Sequence, residues 1–237
     1  MRRSISIIIP AYNEEKRLPA TLEKVGEYLR RSEWEFAEIV VVDDGSRDAT
    51  AEVARRAGAR LLSNPGNRGK GYSVRHGMLE AKGDWALFSD ADLSSPIAEV
   101  EKVWSAAEGG RAAVAIGSRA MDRSLIGVRQ PFFRDRIGRL FNLVMRLATG
   151  LSFRDTQCGF KLFEAPAARE IFSRQRLDGF GFDVEVLYIA QRLGYRCVEV
   201  PVRWNDVAGT KVSLWRGIAA FFDPVQVRWN DLTGRYK

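Results

Sequence analysis

Two aspartates separated by one residue form the sharpest chemical signal in the chain. Asp90 and Asp92 directly follow the apolar run Trp85–Ser89. Alternate residues of an extended segment point to the same side, so the two carboxylates can converge on one hard divalent cation. Mg²⁺ or Mn²⁺ held there would bridge to a diphosphate and neutralise part of its charge. An exposed acidic turn is the alternative, but a position at the end of an apolar strand favours a metal site.

A second pair of carboxylates closes another apolar run, Glu38–Asp43. Asp43 and Asp44 can accept hydrogen bonds from a nucleobase or from ribose hydroxyls. The structural alternative is a turn leading into a helix, because Gly45 suits a turn and Ser46 suits an N-cap. The sequence leaves both interpretations open.

Two basic stretches have the chemistry to bind phosphate. The loop Asn67–Gly71 places Lys70 between glycines, but it matches neither the P-loop nor the dinucleotide-binding pattern, which disfavours ATPase and dinucleotide functions. Residues 119–154 hold eight arginines and two aspartates, a net charge of +6, whereas residues 1–118 have a net charge of −1. Arginine presents a planar fork that suits phosphate. A solvated surface is the alternative interpretation of this basic segment.

These groups need a sheet to bring them together, and the periodicity of the first half predicts one. The predicted strands are Ser4–Pro10, Glu38–Asp43, Arg60–Ser63 and Trp85–Ser89, and the predicted helices are Glu14–Arg31, Asp48–Gly58 and Gly71–Lys82. Strands that alternate with helices predict a doubly wound, mostly parallel sheet with helices on both faces. Such sheets bind ligands at the carboxyl ends of their strands, where the acidic motifs lie.

The pattern changes after about residue 117. The second half is predicted to contain an amphipathic helix Phe133–Thr149, strands Cys158–Phe163 and Cys197–Val202, a helix Asp183–Leu193, and a further apolar stretch Leu214–Phe222. No repeat or linker is recognisable, so we expect a single domain over residues 1–237.

Composition excludes several classes of protein. With 237 residues, 46% of them hydrophobic and 28% charged, the chain is neither disordered nor fibrous. Cys158 and Cys197 form no disulfide framework and no metal-ligand pattern, and His76 is the only histidine, which argues against a histidine-based catalytic triad. The sequence contains no run of 18 apolar residues and no signal-peptide pattern, so we expect a cytoplasmic location.

Taken in order, the motifs resemble those of family-2 glycosyltransferases with the GT-A fold. The motifs general to that family are Pro10-Ala11-Tyr12-Asn13-Glu14, Asp43-Asp44-Gly45-Ser46 and Asp90-Ala91-Asp92. Those similar to the dolichyl-phosphate β-glucosyltransferase branch are GSRA at Gly117–Ala120, DTQCGFKLF at Asp155–Phe163, FDVE at Phe182–Glu185 and EVPVRW at Glu199–Trp204. A GTK at Gly209–Lys211 stands where that branch usually has Gly-Ser-Lys. The resemblance covers nearly the whole chain.

The resemblance implies an inverting transfer of a hexose, with UDP-glucose as the expected donor, to a polyprenyl or dolichyl phosphate. It divides the single GT-A domain into a nucleotide-sugar-binding half, residues 1–117, and an acceptor-binding half, residues 118–237. A phosphate acceptor is mostly dianionic at neutral pH, so it needs positioning and charge shielding rather than a general base. This fits a sequence rich in acids and arginines.

Site roles follow from the same resemblance, residue by residue. The catalytic set is Asp90, Asp92, Arg119, Arg134 and Asp155, with Asp155 as the candidate base if the acceptor were a hydroxyl. The substrate-binding set is Pro10, Tyr12, Glu14, Asp43, Asp44, Asn67, Lys70, Asp90, Gln157 and Lys211. Asp90, Asp92 and Ser94 would hold Mg²⁺ or Mn²⁺, and Ser94 stands where mannosyltransferase relatives carry a glutamine.

The alternatives are transfer of mannose from GDP-mannose, a family-2 transferase with a hydroxyl acceptor, a nucleotidyltransferase, and a catalytically silent nucleotide-sugar-binding protein. We expect no nucleic-acid partner. We expect peripheral contact with the inner face of the membrane through residues 119–154 and the tail, because that is where the positive charge concentrates. Eukaryotic members of the branch usually carry an N-terminal membrane helix that this sequence lacks, so a separate membrane-anchoring partner is a further expectation.

Overall fold

The computed structural model describes residues 3–128, 132–207 and 222–237, with backbone alone for residues 132–135 and 137–141. The strands are β1 (Ser4–Ala11), β2 (Phe36–Asp43), β3 (Arg60–Ser63), β4 (Trp85–Ser89), β5 (Val114–Ser118), β6 (Ile126–Val128), β7 (Phe160–Glu164), β8 (Cys197–Pro201) and β9 (Trp204–Asn205). The helices are α1 (Leu18–Arg31), α2 (Thr50–Arg56), α3 (Lys70–Leu79), α4 (Glu99–Gly110), α5 (Phe132–Thr149), α6 (Ala165–Arg174), α7 (Phe182–Arg192) and α8 (Asp223–Leu232).

Seven strands form one mixed sheet in the order β3-β2-β1-β4-β7-β5-β8. β7 runs antiparallel to both β4 and β5, and the other pairs in this sheet are parallel. The antiparallel insertion of β7 brings its first residues to the carboxyl end of β4, where Ser89 pairs with Phe160. The second half of the chain thereby reaches the edge at which the first half ends its strands.

Alternating side chains along the strands create a core on each face of the sheet. In β1, Ile8 joins one buried cluster, whereas Ile7 and Ile9 join the other. The first cluster packs α3, α6 and α7 against the sheet, and the second packs α1 and α4. Because strand residues point alternately to opposite faces, a continuous apolar run such as that of β1 is required for a sheet covered on both sides. The predicted helices on both faces are confirmed.

Several element boundaries differ from the predictions. α1 begins at Leu18 rather than Glu14, because residues 14–17 form a turn in which the Glu14 carbonyl accepts from the N–H groups of Arg17 and Leu18. α2 begins at Thr50, whose N–H donates to the Asp48 carboxylate at 3.0 Å, so Asp48 lies outside the helix. β7 begins at Phe160 rather than Cys158. Helices α4 and α6 and strand β5 were not predicted as separate elements.

A two-stranded sheet, β6 with β9, lies beside the loop that follows β4. The Asn205 N–H donates to the Ser94 carbonyl at 2.8 Å, so β9 fixes the backbone just after Asp92. The predicted apolar stretch Leu214–Phe222 lies outside the described residues except for Phe222. No helix within the described ranges has the combination of length and hydropathy that crossing a bilayer requires.

Candidate active site

A pocket of about 260 Å³ opens at the carboxyl ends of β1, β2 and β4. These neighbouring strands are parallel, so the loops that follow them meet at one edge of the sheet. The lining residues are Pro10, Ala11, Tyr12, Glu14, Arg17, Asp44, Lys70, Ser73, Asp90, Ala91 and Asp92. The pocket therefore brings together most of the residues predicted to bind the donor and the metal.

The two aspartates after β4 form an acidic pair within this pocket. Burial raises the pKa of Asp92, and the nearby Asp90 carboxylate raises it further. Ser94 donates its backbone N–H to Asp92 Oδ1 at 3.0 Å, and its hydroxyl also hydrogen-bonds that carboxylate. Mutual repulsion between two oxygen ligands is relieved by a divalent cation, so this donor set fits Mg²⁺ or Mn²⁺. Among the described residues, no group of three or more His, Cys, Asp or Glu side chains could hold a metal ion.

Lys70, the first residue of α3, lies beside the acidic pair. Its Nζ lies 2.7 Å from Asp90 Oδ1. Burial acts to lower the pKa of Lys70, but the carboxylates of Asp90 and Asp183 outweigh it and hold that pKa above the ordinary value. Lys70 is thus a fixed positive charge in the pocket, suited to a diphosphate.

Gly159, just before β7, makes room for the Asp90 carboxylate. A Cβ atom at Gly159 would lie 2.0 Å from Asp90 Oδ2, and the Asp90 N–H donates to the Gly159 carbonyl at 3.2 Å. Any side chain at position 159 would therefore displace Asp90. Sequence reasoning placed Gly159 in a motif but found no role for it, because the contact exists only through the antiparallel pairing of β7 with β4.

A buried ion pair supports the pocket from behind. Lys161 and Asp183 form a salt bridge, and Lys161 Nζ also donates to the Cys158 carbonyl at 2.7 Å. Lys161 is fully buried and Asp183 nearly so. Burial raises the pKa of Asp183, which Lys161 and Lys70 oppose. Positive and negative charges therefore alternate in the order Lys161, Asp183, Lys70 and Asp90. The sequence did not predict this arrangement, because Asp183 is equally well explained as a helix cap.

Asp44 holds the loop between β3 and α3. Its buried carboxylate accepts from Asn64 Nδ2 at 2.8 Å, from the Arg68 N–H at 2.9 Å and from the Gly69 N–H at 2.8 Å. Gly69 has a φ of 108°, and a Cβ there would lie 2.5 Å from the Asp178 carbonyl oxygen. Asp44 therefore shapes the loop that delivers Lys70 as well as lining the pocket.

The neighbours of Asp44 differ from the predictions. Asp43 is buried and accepts from the Ser46 N–H at 3.1 Å, which is the turn considered as the alternative. Asn67 is exposed and outside the pocket lining. Asn64, which was not predicted, contacts Asp44 instead, and its Oδ1 lies 2.8 Å from His76 Nδ1. The position of Asn64 directly after β3 was its only signal in the sequence.

Arg119 and Asp155 form a two-pronged ion pair at the end of β5. Arg119 Nε lies 2.7 Å from Asp155 Oδ2, and Arg119 Nη2 lies 2.8 Å from Oδ1. Burial acts to raise the pKa of Asp155, but the Arg119 guanidinium holds it below its ordinary value. A carboxylate so paired is a weak base, so this geometry favours an orienting role for Asp155 over proton abstraction.

Of the remaining predicted residues, Gln157 does not line the pocket, and the other two are not fully described. The Gln157 N–H donates to Asp155 Oδ1 at 3.3 Å, and its side chain is not in the pocket lining. The side chain of Arg134 and the whole of Lys211 lie outside the described part of the chain.

The sheet order and the acidic pair at its carboxyl edge define a GT-A-type nucleotide-sugar transferase architecture. Two solved structures share this fold. The glucosyl-3-phosphoglycerate synthase of Mycobacterium tuberculosis, in complex with Mn²⁺, UDP-glucose and phosphoglyceric acid, aligns with a TM-score of 0.66 at 18% identity over 94% of this chain and 80% of its own. The mannosyl-3-phosphoglycerate synthase of Rubrobacter xylanophilus aligns with a TM-score of 0.71 at 17% identity over 98% and 75%.

Sequence comparison identifies the family. The profile of Glycosyl transferase family 2 matches residues 6–172, and the chain belongs to that family. Curated relatives named dolichyl-phosphate beta-glucosyltransferase include those of Drosophila melanogaster, 40% identical over 88% of this chain and 69% of the relative, and Homo sapiens, 35% identical over 99% and 78%. The relative from Saccharomyces cerevisiae is 34% identical over 98% and 76%. The predicted fold, family and glycosyltransferase class are confirmed.

Proposed function

We propose that this protein is an inverting hexosyltransferase that moves glucose from UDP-glucose to a dolichyl or related polyprenyl phosphate. The observation that carries the proposal is the acidic pair Asp90 and Asp92 beside Lys70 at the carboxyl edge of the sheet. The names of the relatives that are 34–40% identical supply the reaction, and the neighbouring structure with Mn²⁺ and UDP-glucose supports this donor class.

The donor binds along the pocket from β1 to β4. Pro10, Tyr12 and Glu14 line the side at β1, and Asp44 lines the side at β2, so the nucleoside occupies this half. The diphosphate lies at the other half, against Lys70 and the acidic pair. Nucleoside contacts far from the breaking bond contribute binding energy that positions the sugar.

Asp90 and Asp92 would hold the divalent cation, with Ser94 orienting Asp92 through two hydrogen bonds. When bound, such an ion stabilises the negative charge that develops on the departing nucleoside diphosphate. Lys70 adds a second positive charge on the same side without shifting position, because Asp90 and the helix start fix it.

The acceptor phosphate approaches from the second half of the chain. Arg119 is held by Asp155 through Nε and Nη2, which leaves Nη1 outside that pair. Arg119, together with Arg134 and Lys211, would offset repulsion between the two anionic substrates. The phosphate oxygen is already ionised, so no residue is required to remove a proton.

We place the protein at the inner face of the membrane as a peripheral protein, because a polyprenyl chain remains in the bilayer during transfer. The basic segment 119–154, with a net charge of +6, would be attracted to anionic headgroups there. An accompanying membrane-anchoring partner belongs to the same proposal.

A transfer assay tests the reaction. Purified protein is incubated with labelled UDP-glucose or GDP-mannose, a divalent cation and dolichyl phosphate in detergent, and the lipid product is measured. We expect transfer from UDP-glucose that requires the lipid phosphate. Faster transfer from GDP-mannose, transfer to dolichol itself, or metal-dependent donor binding without turnover would each contradict the proposal in a different part.

A further inference from the structure

The last described helix, α8, has two apolar sides. On its inner side, Pro224 and Val227 are buried, and Val227 belongs to the first of the two core clusters. Its outer side carries four large apolar side chains that stay in solvent: Phe222, Val225, Trp229 and Leu232 are 70%, 65%, 59% and 78% exposed. Among the described residues, packing within the chain accounts for the first side only.

The exposed residues form one continuous stripe. They are spaced by three, four and three positions, so at 3.6 residues per turn they fall within an arc of roughly 80°. The buried residue Val227 lies almost opposite to this arc. Single exposed apolar residues are common on protein surfaces, whereas four large ones on one arc indicate an interaction surface.

The exposed charged residues from α8 to the last described residue are all basic. Arg228, Arg235 and Lys237 are exposed. The nearby Asp231 is largely covered, since it lies 2.9 Å from Arg192 and accepts from the Tyr188 hydroxyl at 2.6 Å. An apolar stripe that contains a tryptophan, with exposed basic residues on and just after the same helix, matches the headgroup boundary of an anionic bilayer.

The stripe begins at the rim of the active site. The Asp223 carboxylate accepts from the Gly181 N–H, so the start of α8 lies against the start of α7. The neighbouring Phe180 ring is 5.9 Å from Lys70 Nζ, which contacts Asp90. A bilayer surface in contact with α8 is therefore near the place where the acceptor phosphate must react.

A second helix, which contacts α8, also carries exposed apolar side chains. α5 packs against α8 and leaves Leu143 and Leu147 exposed. Together with Arg146 and the Gly150–Leu151 turn, these residues line a shallow pocket of about 280 Å³. The pocket joins apolar walls to one arginine, the same combination as at α8.

We propose that the outer face of α8 docks into the headgroup layer of an anionic bilayer and holds the catalytic pocket at the membrane surface. The need for a bilayer rests on the lipid acceptor of the proposed function, whereas the stripe and its charge are independent of it. A second copy of the chain is the competing occupant, and it is disfavoured because two copies of a helix whose exposed charged residues are all basic would repel each other.

Vesicle flotation tests the docking surface. The vesicles contain phosphatidylcholine with about one-third phosphatidylglycerol and no dolichyl phosphate, so binding does not depend on the reaction. We expect wild-type protein to float, and the double variant Val225→Glu/Trp229→Glu to lose at least about tenfold in membrane partitioning, since two apolar side chains no longer leave water. Phe36→Glu, at an exposed apolar residue at the amino end of β2, is the control and should float like wild type.

Two further measurements separate docking from its competitors. Transfer to a short polyprenyl phosphate in detergent should be equal for wild type and the double variant, because neither substituted side chain lines the pocket. Flotation of the double variant at the wild-type level overturns the docking proposal. The proposal is also overturned if wild-type protein does not float but forms a dimer in light scattering that the double variant abolishes. If flotation follows expectation but no donor supports transfer, the proposed function fails and the docking surface stands.

Discussion

At the carboxyl edge of β1, β2 and β4, charged side chains line a space that a substrate can fill, whereas behind it Lys161 and Asp183 are buried and satisfy each other. The first region contributes ligands, and the second fixes where those ligands lie. The difference teaches that residues of the second half can act by positioning the ligands of the first half, because the antiparallel β7 carries them to the end of β4. Four predictions test this division.

The largest effect is expected from breaking the buried pair. Lys161→Met leaves Asp183 buried without its partner and should lower the free energy of unfolding by about 3–5 kcal/mol. The double variant Lys161→Met/Asp183→Leu removes both charges and should recover most of that loss in urea unfolding.

The double variant also separates support from mere stability. Its turnover should remain reduced although its stability is restored, because Lys70 then lacks the Asp183 carboxylate that helps to hold its charge. Wild-type kcat in a stable double variant would show that the pair has no positioning role.

The next largest effect concerns a ligand itself. Asp92→Asn should lower kcat by at least about 100-fold, the scale of losing one key electrostatic stabiliser of the transition state. Donor-sugar transfer at saturating substrate, with and without EDTA, measures it. Asp122→Asn, at an exposed acid after β5, is the control and should transfer normally. Full turnover of Asp92→Asn in EDTA would end the metal hypothesis.

Gly159→Ala tests the contact between the residue just before β7 and the pocket residue Asp90. The added methyl group should push the Asp90 carboxylate away and cut kcat/KM by about tenfold, with weaker binding of Mn²⁺ in a titration followed by electron paramagnetic resonance. Unfolding should change little, because the clash is with a partly exposed side chain. Gly109→Ala, whose added Cβ meets nothing within 4 Å, is the matched control. Equal Mn²⁺ binding in both variants would show that Gly159 does not position Asp90.

The residues that line the pocket were largely predictable from sequence, whereas the buried residues that hold them in place were not. Asp90, Asp92 and Asp44 follow apolar strands directly, and parallel strands end at the same edge, so local motifs predict their meeting. Gly159 and Lys161 act on residues about 70 and 20 positions away in the chain, through the order of strands. Sequence periodicity contains no such long-range information, so Lys161 reads as one residue of an apolar strand. Asn64 was missed for the same reason, since its partner Asp44 follows another strand.

The smallest effect tests whether a buried acid needs a cationic partner. Asp155 and Asp183 have such partners, whereas no ion pair among the described residues involves Asp223. Burial raises the pKa of Asp223 to about 6, although the Gly181 N–H partly offsets the rise. An acid with a raised pKa in the folded state holds its proton longer than the unfolded chain does. Its contribution to stability is therefore largest at low pH and declines as pH rises from about 4 to about 6. Partial exposure limits the change to about 1 kcal/mol or less. Asp223→Asn cannot ionise, so the stability of wild type relative to this variant should fall across that interval and stay level above it. Urea unfolding of both proteins at a series of pH values measures the difference.

A carboxylate in the first turn of a helix is also favoured by the helix dipole, which opposes the effect of burial. If wild type instead gains stability relative to Asp223→Asn between pH 4 and 6, the helix dipole outweighs burial. The start of α8 would then stabilise a carboxylate without a cationic partner, whereas Asp183 is stabilised by its ion pair with Lys161.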